Sequence, residues 1–250
     1  MVNVTQNVLT VAVAVAAAML FQAGLNRIWP SQERRSHNEL IGWQLTILGT
    51  TYAVILGFML YAVWTALREA DLNTDFEANA VVDIYRLAAG LPEPQRTRLQ
   101  TLARSYADTV IAREWPQMAA GVVPEQTGPV NSEMWNTVMS LGPASIGVAA
   151  QEMVLSELVS LDQHRSTRIM QSATRLPNVL WCVLLAGGVL TIISACSFGA
   201  ENMKLQTLEV VSFSLLISLS LVAIADIHRP FHGLIHVRSV AFERARECMR

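Results

Sequence analysis

The chain has 250 residues, 52% of them hydrophobic and 15% charged, against roughly a quarter charged in an ordinary soluble domain. Its 18 basic and 20 acidic residues nearly cancel, so it lacks the basic excess expected of a nucleic-acid-binding protein. The three cysteines, Cys182, Cys196 and Cys248, have no C-x-x-C spacing, and neither a metal nor a cofactor is expected.

The apolar residues are clumped into four stretches, two on each side of a long charged middle. The first covers about residues 8–25, close to the roughly 20 residues that a helix needs to cross a bilayer. The segment before it, MVNVTQNVLT, has no basic n-region, and no convincing cleavage site follows. This stretch therefore reads as a retained span. A loop with Arg27, Arg34 and Arg35 leads to the second stretch, about residues 41–66. Thr46, Thr50, Val54 and Phe58 recur there every four residues and share one helical face. That row either packs on a neighbouring helix or lines a narrow apolar constriction that gates by excluding water. Gly57, next to Phe58, leaves room for another helix to come close.

Residues 67–176 read as helices, with no alternation long enough for a strand. The second span has no breaker at its inner end, and Val81, Ile84, Tyr85, Ala88 and Leu91 keep a helical period. The helix is therefore expected to run on to Pro92 and Pro94, which start the next one. That helix presents Leu99, Leu102, Tyr106 and Val110, and Pro116 is expected to stop it after Glu114 and Trp115. Residues 121–129 read as a loop, followed by a short helix over about 132–139 and a turn at Gly142-Pro143. A long helix from about Ser145 then carries Met153, Leu158, Leu161 and Ile169 toward the third span. Just below the second span, Glu69, Asp71, Asp75, Glu77 and Asp83 form an acidic run. It is either a solvated helix face or a ring at the inner mouth of a pore, where acid favours cations.

The third and fourth stretches cover about residues 179–198 and 207–224, with only Lys204 between them. The middle segment holds Arg68, Arg86, Arg165, Arg168 and Arg175, and the tail holds Arg229, Arg238, Arg244 and Arg246. This bias puts the middle segment and both termini in the cytosol. Arg68, Glu77, Asp226 and Arg229 are candidate inner-mouth or structural polar residues, with Asp226 capping the fourth span or pairing with Arg229. His228, His232 and His236 are spaced four apart around Pro230, which precludes a single helix face and argues against a metal site. No G-x-S-x-G, glycine-rich phosphate loop or H-E-x-x-H is present, so an enzyme is not expected. The outcome is an all-α, four-span membrane protein with a cytosolic helical bundle. Its expected divisions are 1–66 and 177–226 in the membrane, 67–176 as the bundle, and 227–250 as a cytosolic tail.

Five places then resemble the bestrophin-like family of bacterial and plant membrane proteins. YAVILGFMLYAVWTALREAD is similar to the neck-bearing second helix of bestrophins. EANAVVDIYRLAAGLPEPQR, YADTVIAREWP and RSTRIMQSATRLPNVLW agree in order and placement, and Pro230-Phe231 in ADIHRPFHG resembles the Pro-Phe-Gly element after the last span. Together they cover most of residues 40–240. The resemblance implies a homopentameric anion channel in the cell's inner membrane, both termini cytosolic, with Thr50, Val54 and Phe58 as the neck. Its partners would be the lipid bilayer, copies of itself and small inorganic ions. The chain departs from the family in three respects. Thr50 is polar, His232-Gly233-Leu234-Ile235 stands where animal bestrophins have a calcium-clasping acidic cluster, and the acidic run below the neck disagrees with anion preference. Calcium gating is not expected.

Two other readings compete. One is a pore-less scaffold or sensor that binds a partner through Glu114-Trp115-Pro116 or through Arg229 to Gly233. The other is a proton-driven stator-like complex, which needs an intramembrane carboxylate, with Asp226 at the end of the fourth span as the candidate.

Overall fold

The computed structural model describes residues 4–124, 127–141 and 148–250, and all regular structure among them is helical. In chain order the helices are α1 (Val4–Ile28), α2 (Ser31–Arg34), α3 (Asn38–Leu87), α4 (Gln95–Thr109), α5 (Trp115–Ala119), α6 (Gly128–Met139), α7 (Val148–Ala173), α8 (Asn178–Ser197), α9 (Met203–Ile227) and α10 (Val240–Cys248). Among the described residues four helical runs, those holding α1, α3, α8 and α9, are long and apolar enough to cross a bilayer. The four apolar stretches of the sequence thus each form a helix. α3 is longer than a span requires: its 50 residues reach about 75 Å at 1.5 Å per residue, against a hydrocarbon core of about 30 Å.

The chain forms two compact units, one of Val2–Thr65 with Arg175–His228, the other of Ala66–Thr174 with Arg229–Arg250. In the first, α1 packs on α8 and α9 around Ala18, Cys196 and Val210. The span part of α3 docks through Tyr52, whose hydroxyl donates to the Leu184 carbonyl at 2.9 Å. Its ring fills a notch left by two glycines. A Cβ on Gly187 would lie 2.5 Å from Tyr52 Cδ2, and one on Gly188 would lie 2.9 Å from the tyrosine oxygen. At Gly57, by contrast, a Cβ would meet nothing within 4 Å, so among the described residues no helix uses the room there.

The loops at one end of this unit are latched by polar contacts. Arg34 is fully buried, donates to the Cys196 carbonyl at 2.5 Å and also bonds Asn26. Its cation thus meets the negative end of α8. Asn38 and Gly199 exchange two bonds of 2.8 Å, and Ser31 Oγ donates to the Ala200 carbonyl at 2.7 Å. Arg35 pairs with Glu201 at 3.1 Å.

In the second unit Val81 and Ile84 of α3, and Ala88 and Leu91 just beyond its end, are buried as their period requires, and so are Leu99, Tyr106 and Val110, while Tyr85 and Leu102 are half-buried. Three expectations fail. Pro116 does not stop the helix, because residues Val110–Glu114 form a wide π-helical turn that leads directly into α5. The stop comes at Gly121, whose φ of +77° suits glycine. On α7, Met153 is exposed and Val154 takes the core position instead, in step with Leu158 and Leu161. α6 begins at Gly128, earlier than expected, with Pro129 in its first turn. The expected turn at Gly142-Pro143 and the start near Ser145 lie outside the described residues.

Gly187→Ala should lower the melting temperature of the detergent-purified protein by an amount equivalent to about 1–3 kcal/mol, because the methyl overlaps the Tyr52 ring. Combining it with Tyr52→Leu should recover part of the loss; an unchanged melt for Gly187→Ala contradicts the notch.

Candidate functional site

Two features stand out: an apolar row that its own chain leaves bare, and a buried ionic cluster. The row lies on the span part of α3. Thr50 is exposed, Val54 is 53% exposed and Phe58 70%, whereas Tyr52, on the other side of the helix, is 5% exposed. Ile47 and Tyr61 extend the bare surface. Beside it runs an open groove of about 580 Å³, lined mainly by Thr46, Gly49, Thr50, Ala53 and Gly57 of α3 and by Phe213, Leu216 and Ile217 of α9. Thr50 borders both, while Val54 and Phe58 stand clear of the groove.

The ionic cluster lies in the second unit. Arg168 of α7 is fully buried, and its Nε donates to Glu77 of α3 at 2.7 Å. One terminal nitrogen spans both acids, at 3.0 Å from Glu77 and 2.7 Å from Glu114. Glu77 also accepts from the Tyr106 hydroxyl at 2.6 Å, and Glu114 accepts from the backbone N–H and hydroxyl of Thr127, both at 2.8 Å. Arg165 completes the chain by donating to Thr127 Oγ1 at 2.7 Å, and Phe242 packs 6.0 Å from the Arg168 guanidinium. Burial alone works against the charged form of Glu114, but the Arg168 guanidinium and the two Thr127 bonds outweigh it and hold the carboxyl below its usual range. Arg168 likewise suffers from burial, yet Glu77, then Tyr106 and Glu114, keep its cation more firmly protonated than usual. Burial and then Glu77 push the Tyr106 phenol well above 10.

The remaining candidates take different positions. Arg68 is exposed on α3, and Asp226 is buried near the end of α9. Arg229 is half-buried, and its Nε lacks a hydrogen bond. Pro230 and Phe231 are buried, with Phe231 edge-on to Trp115 at 5.6 Å. The loop they open closes on itself, since Val237 N–H donates to the Pro230 carbonyl at 2.8 Å, and Gly233 sits at φ +115° within it. Such a backbone favours glycine. Of the surfaces considered for a partner, Glu114 and Trp115 are core residues and so is Phe231. His228, His232 and His236 each bond a separate backbone carbonyl through Nδ1. Among the described residues no cluster of three or more metal-ligating side chains exists.

The family model of the bestrophin-like domain matches residues 12–242, and the chain belongs to the bestrophin-like family. Among solved structures, a mutant of a bacterial bestrophin homologue from Klebsiella pneumoniae is 13% identical, covers 98% of this chain and 97% of its own, and gives a TM-score of 0.73. A bacterial bestrophin homologue from the same organism, solved by zinc anomalous phasing, is also 13% identical, with coverage of 97% and 96% and a TM-score of 0.71. A mutant membrane protein gives 13% identity, coverage of 97% and 96%, and a TM-score of 0.74. At these identities the likeness concerns the fold. No curated protein sequence matches the chain.

Removing one partner of the cluster strands buried charge. Arg168→Met should cost about 3–5 kcal/mol in thermal unfolding, whereas the triple change Glu77→Gln, Glu114→Gln, Arg168→Met should cost much less. Glu114 has a folded pKa below its unfolded value of about 4.3, so its contribution is complete at neutral pH and fades as pH falls below about 5. The melting temperature should drop over that acid range, and Glu114→Gln should flatten the drop; an identical acid limb in the variant contradicts the assignment.

Proposed function

We propose that this bestrophin-like protein is a homopentameric, anion-conducting channel of the bacterial inner membrane, in which α3 of every copy faces a common axis. Thr50, Val54 and Phe58 form its neck. The observation that carries this reading is the bare apolar row: Val54 and Phe58 are turned away from their own chain in the helix that bestrophin-like channels use as pore lining. Val54 and Phe58 stand one turn apart, about 6 Å along the axis, so the water-excluding part of the neck is short. The Thr50 hydroxyl marks its polar upper edge.

The same reading puts both termini in the cytosol. Arg27, Arg34, Arg35 and Lys204 are the charges that count against this orientation, and they are outnumbered by the arginines of the middle segment and the tail. The scaffold reading loses ground because Glu114, Trp115 and Phe231, three of its contact residues, belong to the core.

The test is a mass measurement of the oligomer in lipid, followed by chloride flux from liposomes with the same preparation. The mass should equal five chains, and Val54→Ala combined with Phe58→Ala should raise the flux well above that of the unmodified protein. A monomer, or an oligomer silent in both forms, overturns the channel.

A further inference from the structure

We infer that Arg68 sets the charge preference of the cytosolic entrance, in favour of small inorganic anions. This rests on the pore proposed above. In the sequence, five acids follow the second span, which gives an entrance the wrong sign for anions. In the folded second unit three of the five have ion-pair partners, while Glu69 and Asp71 have none among the described residues. Glu77 is turned into the core and held by Arg168 at 2.7 Å. Asp75 pairs with Arg244 at 3.5 Å, and Asp83 with Arg86 at 3.4 Å.

What remains is decided by direction. Within this unit Ala70, Thr74, Glu77, Val81 and Ile84 form the buried line of α3. At about 100° per residue, Arg68 points about 160° away from that line, and Leu72 and Asn79 share its side. Glu69 and Asp71 stand about 100° off the line, one to each flank. Arg68 is therefore the first charge on the face directed away from the core. It is exposed, and among the described residues it has neither an ion pair nor a hydrogen bond. Its charge is not spent on the fold. Copies of this guanidinium repeated around an axis put positive charge on the face turned to that axis, where it favours anions over cations, while Glu69 and Asp71 stand to its flanks.

The experiment measures reversal potential in planar bilayers under a potassium chloride gradient, using the full-length protein and three variants. The unmodified channel should reverse on the chloride side of zero, and Arg68→Lys should keep that value. Arg68→Gln should move it toward zero, and Arg68→Glu across zero to the potassium side. Because Arg68 is exposed and makes neither a hydrogen bond nor an ion pair among the described residues, the variants should elute and melt like the unmodified protein. An Arg68→Glu channel that conducts with an unchanged reversal potential overturns the inference and leaves the pore intact, as does an unmodified channel that prefers potassium. Absence of current in the unmodified protein and in the Val54→Ala, Phe58→Ala form refutes the pore itself and this inference with it.

Discussion

The bond set around Arg168 is the constraint on which the second unit depends. One guanidinium joins α3 to α7 through Glu77 and to the turn before α5 through Glu114, and all three side chains are out of contact with solvent. Two acids facing one base leave a net negative charge in the interior. That is tolerable because the remaining oxygen positions accept from Tyr106 and Thr127. A hydrophobic core of the same size would hold these helices together at many small offsets. A bidentate pair with fixed bond directions accepts only one register of α3 against α7. Whether that register gains specificity at some cost in stability is the usual balance for buried ions.

The two units use polar groups for different ends. In the membrane unit, polar contacts collect in the loops, where Arg34, Asn38 and Ser31 satisfy carbonyls at or beyond the end of α8 that lipid cannot. Between the spans, packing depends on shape, with Tyr52 set against two glycines. In the second unit, the polar groups lie in the interior and the periphery carries weak, exposed pairs such as Arg98 with Glu133.

Much of the fold was legible because lipid leaves so few options. Apolar stretches near 20 residues admit helices and little else. The Thr50, Val54, Phe58 row was legible from its period alone, but its exposure was not, since any helical face can be either buried or bare. The ionic cluster was harder to see. Glu77 reads as part of an acidic run, yet it is seven residues from both Ala70 and Ile84, which are core positions; Arg168 is seven residues from Leu161. Charges at core phase were the available signal. Pro116 misled because the sequence gives no mark of the π-helical turn before it.

That turn has a consequence for how the chain tolerates change in length. Val110–Glu114 holds one residue more per winding than an ordinary helix, so α5 starts about 100° out of phase with α4. Glu114 closes the turn and accepts from Arg168 at 2.7 Å. A single-codon deletion anywhere in the five residues would let the winding tighten and swing the carboxylate away from its partner. The same loss two turns upstream, within α4, would instead turn Leu99 about 100° out of phase with Tyr106 and Val110, which share its buried face.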